Sequence, residues 1–342
     1  MPLPCPHVLL FSSTVALSYF LHRSHSTSTA KKLLTSSQTT GRRWCSVSSP
    51  PHELDPYHLH PNALLSLVLQ IFASHDLLKF VDLGCFYTSL KSLTSPSRSN
   101  PTPTYQTVPY HNIRHACHVL LSTHKLFTSL RPDLEIGTSE ISKLALFLSA
   151  LYHDLEHDGR SNALHKAAGN KTVSPLEARS VNGALSLFPA FLRVPPEHEA
   201  EFLDLFSSLI LCTDIGNADG AATLRGKQES DTYLHNVIRL ADIGCVFQSY
   251  EIYTRWSSAL FEEQLQCGEA TSRSAFAEAN PKFLSSYVQA ELSSTLSLFE
   301  PSVAAEMQAG LDRVIETLEG KTVEERVADQ KKYRRDLCWK LT

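Results

Sequence analysis

The chain has 342 residues, of which 42% are apolar and 19% are charged. This composition argues against a disordered chain and against a polytopic membrane protein. The formal net charge of −4 argues against a basic nucleic-acid-binding protein. The eight cysteines form no Cys-x-x-Cys pair, so the sequence does not encode a disulfide scaffold or a cysteine-rich zinc module.

Residues 1–52 contain five basic residues and no acidic one, and they are rich in serine and threonine. Leaders of this kind direct proteins to organelles, so we predict a disordered targeting segment for the mitochondrion or the plastid. Two alternatives are a signal or membrane anchor built on residues 8–21 and a cytosolic tail. That apolar run is short and interrupted by Ser and Thr, so we expect no stable membrane span.

Apolar residues recur at helical spacing over residues 62–80 and in a second run that reaches residue 93. Residues 94–109 are dominated by Pro, Ser and Thr, which predicts a loop. Helical periodicity then returns in seven segments, at about 110–130, 139–157, 176–188, 198–214, 231–264, 280–298 and 302–319. The sequence therefore predicts an all-α fold, with one compact multi-helix domain over residues 53–335 and a tail over 336–342.

Two pairs of histidines are each spaced by four residues, in the segments YHNIRHACHV and YHDLEHDGRSN: His111 with His115, and His153 with His157. Residues four apart lie on one face of a helix, about one turn from each other. Asp154 follows His153 directly, at the end of an apolar run that predicts a buried helix. This arrangement predicts that a buried helix delivers its last turn to a polar site.

Two more acidic segments follow apolar runs: Thr213 and Asp214 come after one, and Asp242 comes after another. Taken singly, such residues are ordinary core histidines or helix caps. Together, imidazoles and carboxylates suit Zn²⁺, Fe or Mn²⁺, and one carboxylate can bridge two ions. We therefore predict a mixed His/Asp metal site. Three further histidines are predicted to be structural: His118, His124 and His165.

The motifs His-Asn-x-x-His-Ala-x-x-Val, from His111, and His-Asp-x-x-His-x-Gly-x-x-Asn, from His153, resemble the two signatures of class I 3′,5′-cyclic nucleotide phosphodiesterases. These are HD-type metal-dependent phosphohydrolases. Further pieces agree in order: LLKF at 77–80, Leu176-Glu177, Thr213-Asp214, Ala241-Asp242, Trp256 and Glu262-Glu263. The resemblance spans about residues 60–300 and implies a catalytic domain that hydrolyses cAMP, cGMP or both to the 5′-monophosphate, thereby ending their signal.

The resemblance also implies the roles of the candidate site residues. The tighter metal, typically zinc, would be held by His115, His153, Asp154 and Asp242. Asp154 would bridge to a second metal, typically magnesium with Mn²⁺ as the alternative, and a hydroxide activated by the two ions would attack the phosphorus.

Three residues would orient metal-bound waters from behind the ligands: His157, Glu177 and Thr213. His111 would be the general acid that protonates the leaving O3′. We expect Glu177 to be the carboxylate near His111 that keeps its imidazole protonated.

Counting from Trp256 places the purine clamp at Leu260 and Phe283, and the amide that reads the base at Asn280. The family pattern is not kept at three positions near the site: Arg179, Ser180 and Cys245. These departures predict retained hydrolysis with altered base preference, and they leave cAMP and cGMP both open. The alternatives are a phosphohydrolase acting on another nucleotide or phosphoester, and a non-catalytic helical module that binds metal or nucleotide. A homodimer is also left open.

Overall fold

The computed structural model describes residues 55–94, 103–134, 139–172, 174–216 and 229–333. Within these ranges the chain is helical, and its β-pairing is limited to two isolated bridges. The all-α fold predicted from the sequence is therefore confirmed. The predicted targeting leader over 1–52 and the tail over 336–342 lie outside the described residues and stay predictions. No helix in the described part of the chain is long and apolar enough to cross a membrane.

The described residues form the following α-helices: α1 (Pro61–Ser74), α2 (Leu83–Leu93), α3 (Ile113–Thr128), α4 (Glu140–Tyr152), α5 (Asn162–Ala167), α6 (Pro175–Phe191), α7 (Glu199–Leu211), α8 (Glu229–Asp242), α9 (Tyr250–Cys267), α10 (Arg273–Phe283), α11 (Gln289–Thr295), α12 (Pro301–Glu319) and α13 (Val323–Tyr333). Short 3₁₀ turns occur at Pro56–His58, Leu77–Phe80, Pro196–His198, Gly244–Phe247 and Leu296–Leu298, and a π-helical turn at Leu284–Val288 joins α10 to α11.

Helix α4 forms the centre of the domain, because it packs against α3 on one side and against α7 on another. Eleven of its residues are buried, on every face. A helix that is apolar all round is a buried helix, and this explains the uninterrupted apolar run in its sequence. Helix α8 packs across α3. The ends of α3, α4 and α8 thereby meet on one side of the core.

Two of the helices that carry the site, α3 and α4, begin at side-chain caps. The Asn112 side chain accepts a hydrogen bond from the backbone N–H of Arg114 at the start of α3, at 2.9 Å. The Ser139 hydroxyl accepts one from the N–H of Ser142 at the start of α4, at 3.0 Å. Such caps satisfy backbone donors that the first turn leaves without an intrahelical partner. They fix the residue at which each helix starts.

The structure corrects two predicted helix ranges. The helix expected over 231–264 is interrupted, because α8 ends at Asp242 and α9 begins after a cap at Ser249. At Gly244 the turn passes so close to α3 that a Cβ atom would lie 2.7 Å from the Ser122 hydroxyl. The helix expected over 280–298 is broken by the π turn. Helix α13 was not predicted, since its charged sequence carries little apolar periodicity.

Candidate active site

Four buried or half-buried side chains converge where α3, α4 and α8 meet. His115 lies in the first turn of α3, His153 and Asp154 directly follow α4, and Asp242 ends α8. The His115 Nε2 atom lies 3.0 Å from Asp242 Oδ1 and 3.3 Å from Asp154 Oδ2. The His153 Nε2 atom lies 3.0 Å from Asp154 Oδ2 and 3.3 Å from Asp242 Oδ1. We call these four side chains the metal cluster.

The metal cluster has the properties of a cation site. The Nδ1 atom of His153 lies 3.1 Å from the carbonyl oxygen of Ala150, so this nitrogen donates to the backbone and Nε2 faces the two carboxylates. Although His153 Nε2 and Asp154 Oδ2 are close, neither buried atom has a hydrogen-bond partner within the described part of the chain. Donor atoms that bind one zinc ion tetrahedrally, each at about 2.0–2.2 Å from the metal, lie about 3.3 Å from one another. The nitrogen and oxygen atoms of the metal cluster are spaced in this way.

Burial by itself would raise the pKa of both carboxyl groups in the metal cluster. For Asp154 the charges of His153 and His111 reverse that effect and bring its pKa well below its usual value. For Asp242 the hydrogen bond from His115 and the proximity of His153 likewise bring the pKa below its usual value. Both carboxyl groups are therefore ionised, and ionised carboxylates are the form that binds a cation.

His111 lies just before α3 and is held by Glu263 of α9. One carboxylate oxygen, Oε2, accepts hydrogen bonds from the backbone N–H groups of Tyr110 and His111, at 2.8 and 3.0 Å. The other, Oε1, contacts the Nδ1 atom of His111. Burial favours the neutral imidazole, but the charges of Glu263 and Asp154 outweigh it and raise the pKa of His111 to about 9. The ring is therefore an imidazolium at neutral pH.

His157 stacks on His111, with ring centroids 3.9 Å apart and an angle of 24° between the ring planes. Its Nδ1 atom accepts a hydrogen bond from the backbone N–H of Gly159 at 3.1 Å. Burial and the charge of His111 lower the pKa of His157 to about 4. The two stacked rings thus have different charges, one an imidazolium and the other a neutral imidazole.

The structure corrects the partner predicted for His111. The carboxylate that contacts this ring belongs to Glu263, whereas the Glu177 carboxylate accepts a hydrogen bond from the Asn162 side chain at 2.9 Å. Burial raises the pKa of Glu177 to about 7, although the hydrogen bond from Asn162 acts in the opposite direction. The sequence contained Glu263 within the resemblance, but it held no sign that a residue 152 positions away would reach His111.

The other predicted water-orienting residue, Thr213, is buried just beyond the end of α7. Its hydroxyl donates to the carbonyl oxygen of Ile210 at 2.8 Å, so its lone pairs remain for other contacts. The next residue, Asp214, accepts a hydrogen bond from the Ser174 hydroxyl at 2.6 Å. The structure shows no contact of Thr213 with the metal cluster, and its predicted role stays a prediction.

Of the residues predicted to bind the base, Asn280 and Phe283 lie on α10 and Leu260 lies on α9. The Asn280 amide donates to the Ser257 hydroxyl at 3.0 Å, at the junction of α9, α10 and α13. Phe283 is 42% exposed and stacks on Tyr287, with centroids 5.5 Å apart. The Tyr287 hydroxyl in turn accepts a hydrogen bond from Arg239, one turn before Asp242. Leu260, on α9, is half-buried. The amide of Asn280 is therefore engaged in helix packing.

The three departures from the family pattern lie in packed positions. Arg179 donates to Asp158 at 3.3 Å, and the Ser180 hydroxyl donates to the carbonyl oxygen of Leu155 at 2.9 Å. Both residues of α6 therefore contact the segment that follows α4. Cys245 is buried. The histidines predicted to be structural pair with residues outside the metal cluster: His118 with Gln248, His124 with His75, and His165 with Asp158.

Comparison with known sequences gives one family match. The profile of the family described as 3′5′-cyclic nucleotide phosphodiesterase matches residues 110–295, more than half of the chain. A mouse protein, dual specificity calcium/calmodulin-dependent 3′,5′-cyclic nucleotide phosphodiesterase 1B, is 25% identical over 179 residues, which is 47% of this chain and 33% of the mouse protein. The 3′,5′-cyclic-nucleotide phosphodiesterase 2 of Saccharomyces cerevisiae is 29% identical over 179 residues, 48% of this chain and 32% of the yeast protein. The matched segment thus spans about a third of these relatives.

Comparison with solved structures gives the same fold. Two structures of the phosphodiesterase domain of the rhodopsin phosphodiesterase from Salpingoeca rosetta superpose on this chain with TM-scores of 0.62 and 0.67. Each is 19% identical in sequence and covers 86% of this chain, and the alignment spans 99% and 95% of the two domains. At this identity the superposition establishes the fold alone.

Proposed function

Because the chain belongs to the 3′5′-cyclic nucleotide phosphodiesterase family, we propose that it hydrolyses the 3′,5′-cyclic phosphodiester of cAMP, cGMP or both to the 5′-monophosphate. The observation that carries this proposal is the placement of an imidazolium, His111, beside a cluster of buried donors of the metal-binding type. A phosphodiester carries negative charge, and its cleavage releases an alkoxide that needs a proton. The site offers a group for each requirement.

The metal cluster would hold a divalent cation, and we propose Zn²⁺ there, bound by His115, His153, Asp154 and Asp242. Asp154 has a second carboxylate oxygen, which we assign to a second ion, Mg²⁺ or Mn²⁺. When bound, two such ions compensate the charge of the phosphoryl oxygens and acidify a water molecule. Ala150 supports this set by fixing the His153 ring in the tautomer that a metal ligand requires.

His111 would act as the general acid. Its Nδ1 atom is held by Glu263, so the proton available for transfer is the one on Nε2. As the bond between phosphorus and O3′ breaks and a water oxygen bonds to phosphorus, that proton moves to O3′. The imidazole then regains a proton from solvent. A positioned acid of this kind accelerates such a step by roughly 10²–10⁴-fold.

His157 would keep the acid in place. Its neutral ring lies almost parallel to that of His111 and is itself fixed by the hydrogen bond from Gly159. A stacked neighbour limits rotation of His111 about its side-chain bonds, so that the Nε2 proton keeps its direction. Glu263 fixes the same ring from its edge. One contact on the face of the ring and one on its edge thus orient the imidazolium.

The test is hydrolysis of cAMP and of cGMP by the full chain, with Mg²⁺ and a trace of Zn²⁺, followed by separation of the 5′-monophosphates. We expect turnover that disappears in His153→Ala and persists in the matched variant His124→Ala, whose histidine pairs with His75 outside the metal cluster. The ratio of the two rates gives the base preference. Folded, metal-loaded chain that cleaves neither nucleotide contradicts the proposal, and cleavage of a different phosphoester alone supports the alternative phosphohydrolase.

A further inference from the structure

Residues 55–59, which we call the N-terminal strap, lie outside the residues matched by the family profile. The first residue of the strap is held by a buried ion pair. The Asp55 carboxylate pairs with the Arg255 guanidinium, and the two side chains are only 8% and 9% exposed. Asp55 also accepts a hydrogen bond from the backbone N–H of Tyr57 at 3.0 Å. This end of the strap is therefore fixed by charge as well as by packing.

The remainder of the strap is held by a second buried arginine. The Arg114 guanidinium donates to the carbonyl oxygen of Tyr57 at 2.9 Å and also to that of Leu59. Arg114 belongs to α3, whereas Arg255 belongs to α9. The strap is thus clamped across the two helices that carry His115 and Glu263.

A continuous path of aromatic contacts leads from the strap to the metal cluster. The Tyr57 ring meets Trp256 edge-on, with centroids 5.1 Å apart. Trp256 in turn contacts the rings of Tyr110 and His115, with centroids 5.7 and 5.8 Å apart. Tyr57, Trp256 and His115 are each 1% exposed. In so closely packed a region, a shift of the strap moves the rings beneath it.

Each clamping arginine is also the chain neighbour of a ring on this path. Arg114 directly precedes His115, and Arg255 directly precedes Trp256. A change in the position of either guanidinium therefore acts on the backbone that carries His115 or the ring that packs on it. The strap and the metal cluster are connected both through space and along the chain.

We propose that Asp55, Arg114 and Arg255 are positioning residues, which hold the strap so that Tyr57 and Trp256 fix the plane of the His115 ring. The inference rests on the proposed function, because it takes the metal cluster to be the metal centre. A ligand whose ring is already oriented loses less conformational freedom when it binds a cation. The strap thereby increases the affinity of the cluster for its metal.

The ion pairs of Arg255 provide a matched pair of variants. Glu251 also contacts Arg255, at 3.1 Å, but its side chain is 65% exposed. We would compare Asp55→Asn with Glu251→Gln in the full chain, well below the melting temperature of either variant. The readouts are Zn²⁺ affinity, by competition with a chromophoric chelator, and the visible spectrum of the Co²⁺-loaded protein.

We expect Asp55→Asn to lower Zn²⁺ affinity about tenfold and to shift the Co²⁺ bands, since supporting contacts behind a ligand have effects of this size. Glu251→Gln should leave both readouts unchanged, and Asp55→Glu should restore most of the lost affinity. Tyr57→Leu keeps the ion pair and removes the ring contact on Trp256. It gives a second test should Asp55→Asn fail to fold, and it should lower the affinity in the same direction.

Folded Asp55→Asn or Tyr57→Leu protein with wild-type Zn²⁺ affinity and an unchanged Co²⁺ spectrum would overturn the inference. A lower melting temperature would not rescue it, because the strap would then only stabilise the fold. The proposed function fails in a different way: wild-type chain that takes up no Zn²⁺ has no metal centre, and the inference then fails with it.

Discussion

The metal cluster and the predicted base-binding residues differ in what determines their geometry. Sequence close to each residue determines it in the metal cluster, whereas packing between separate helices determines it for the base-binding residues. His115, His153 and Asp154 are placed by the ends of two helices, and each of those ends follows from nearby sequence. Leu260, Asn280 and Phe283, by contrast, lie on two helices, α9 and α10, that both pack against α13. The first group was predicted to converge, and it does; the second was placed by counting from Trp256, and its role stays a prediction.

The connection between α9 and α10 explains part of this difference. Helix α9 ends at Cys267 and α10 begins at Arg273, so a non-helical segment separates Leu260 from Asn280 and Phe283. Counting residues from Trp256 along the sequence cannot detect how the chain turns in this segment. The comparison teaches that short motifs carry site geometry where each motif lies within or directly beside one helix.

The sharpest test of the metal cluster is Asp154→Asn. An amide there removes one negative charge from the cluster, and we expect metal binding to fail and turnover to fall by about 10³-fold or more. Asp158→Asn is the matched control, because Asp158 lies in the same motif but pairs with Arg179 and His165. Metal content by atomic emission and initial rates check both. Full activity in Asp154→Asn would remove this residue from the metal centre.

The next effect in size concerns the acid. His111→Gln should lower turnover by roughly 10²–10⁴-fold, because the variant lacks the imidazolium that donates the proton to O3′. The neighbouring His157 is a neutral imidazole. Metal content should stay that of the wild type, since His111 is not one of the four proposed ligands. His165→Gln, which changes a histidine outside the cluster, is the control. Loss of metal in His111→Gln would instead make this residue a ligand.

Glu263→Gln should have an intermediate effect, with turnover at neutral pH about 10–100-fold lower. The acid must be protonated, so the rate falls as the pH rises through the pKa of His111. Glu263 raises that pKa, and without its charge the fall in rate should occur at lower pH. Glu262→Gln is the control, because Glu262 pairs with Arg273. If the rate of Glu263→Gln falls at the same alkaline pH as that of the wild type, the proposed pairing of Glu263 with His111 is contradicted.

The smallest effect is expected at Asn280, one of the residues predicted to bind the base. Asn280→Ala removes a hydrogen bond to Ser257 and should lower the free energy of unfolding by about 1 kcal/mol. The ratio of cAMP to cGMP hydrolysis should not change, because the amide is engaged in packing. Urea unfolding and the two initial rates measure these quantities. A changed ratio without loss of stability would instead place Asn280 in the base pocket, as the sequence predicts.

Much of the fold was predictable because the amphipathic and buried helices carry a clear apolar period. A mixed His/Asp metal site was predictable because imidazoles spaced by four and carboxylates after apolar runs are uncommon in combination. The choice of its four residues came from the resemblance to the phosphodiesterase signatures. The pairing of Glu263 with His111 was not, since it joins residues 152 positions apart through the packing of α9 on the start of α3. The break after Asp242 was hidden for a similar reason: it depends on how closely Gly244 approaches Ser122.

Arg255 touches both ends of the described domain. It pairs with Asp55 at one end, and its guanidinium lies 5.2 Å from the ring centroid of Tyr333, the last residue of α13, at the other. Residues 55 and 333 are therefore separated by little more than one side chain. A short linker could join them, and new ends could be opened at an exposed turn such as Gly268, which has a φ of +82°. Such a circular permutant would keep the helix contacts of the domain and would have its chain ends at a different surface turn.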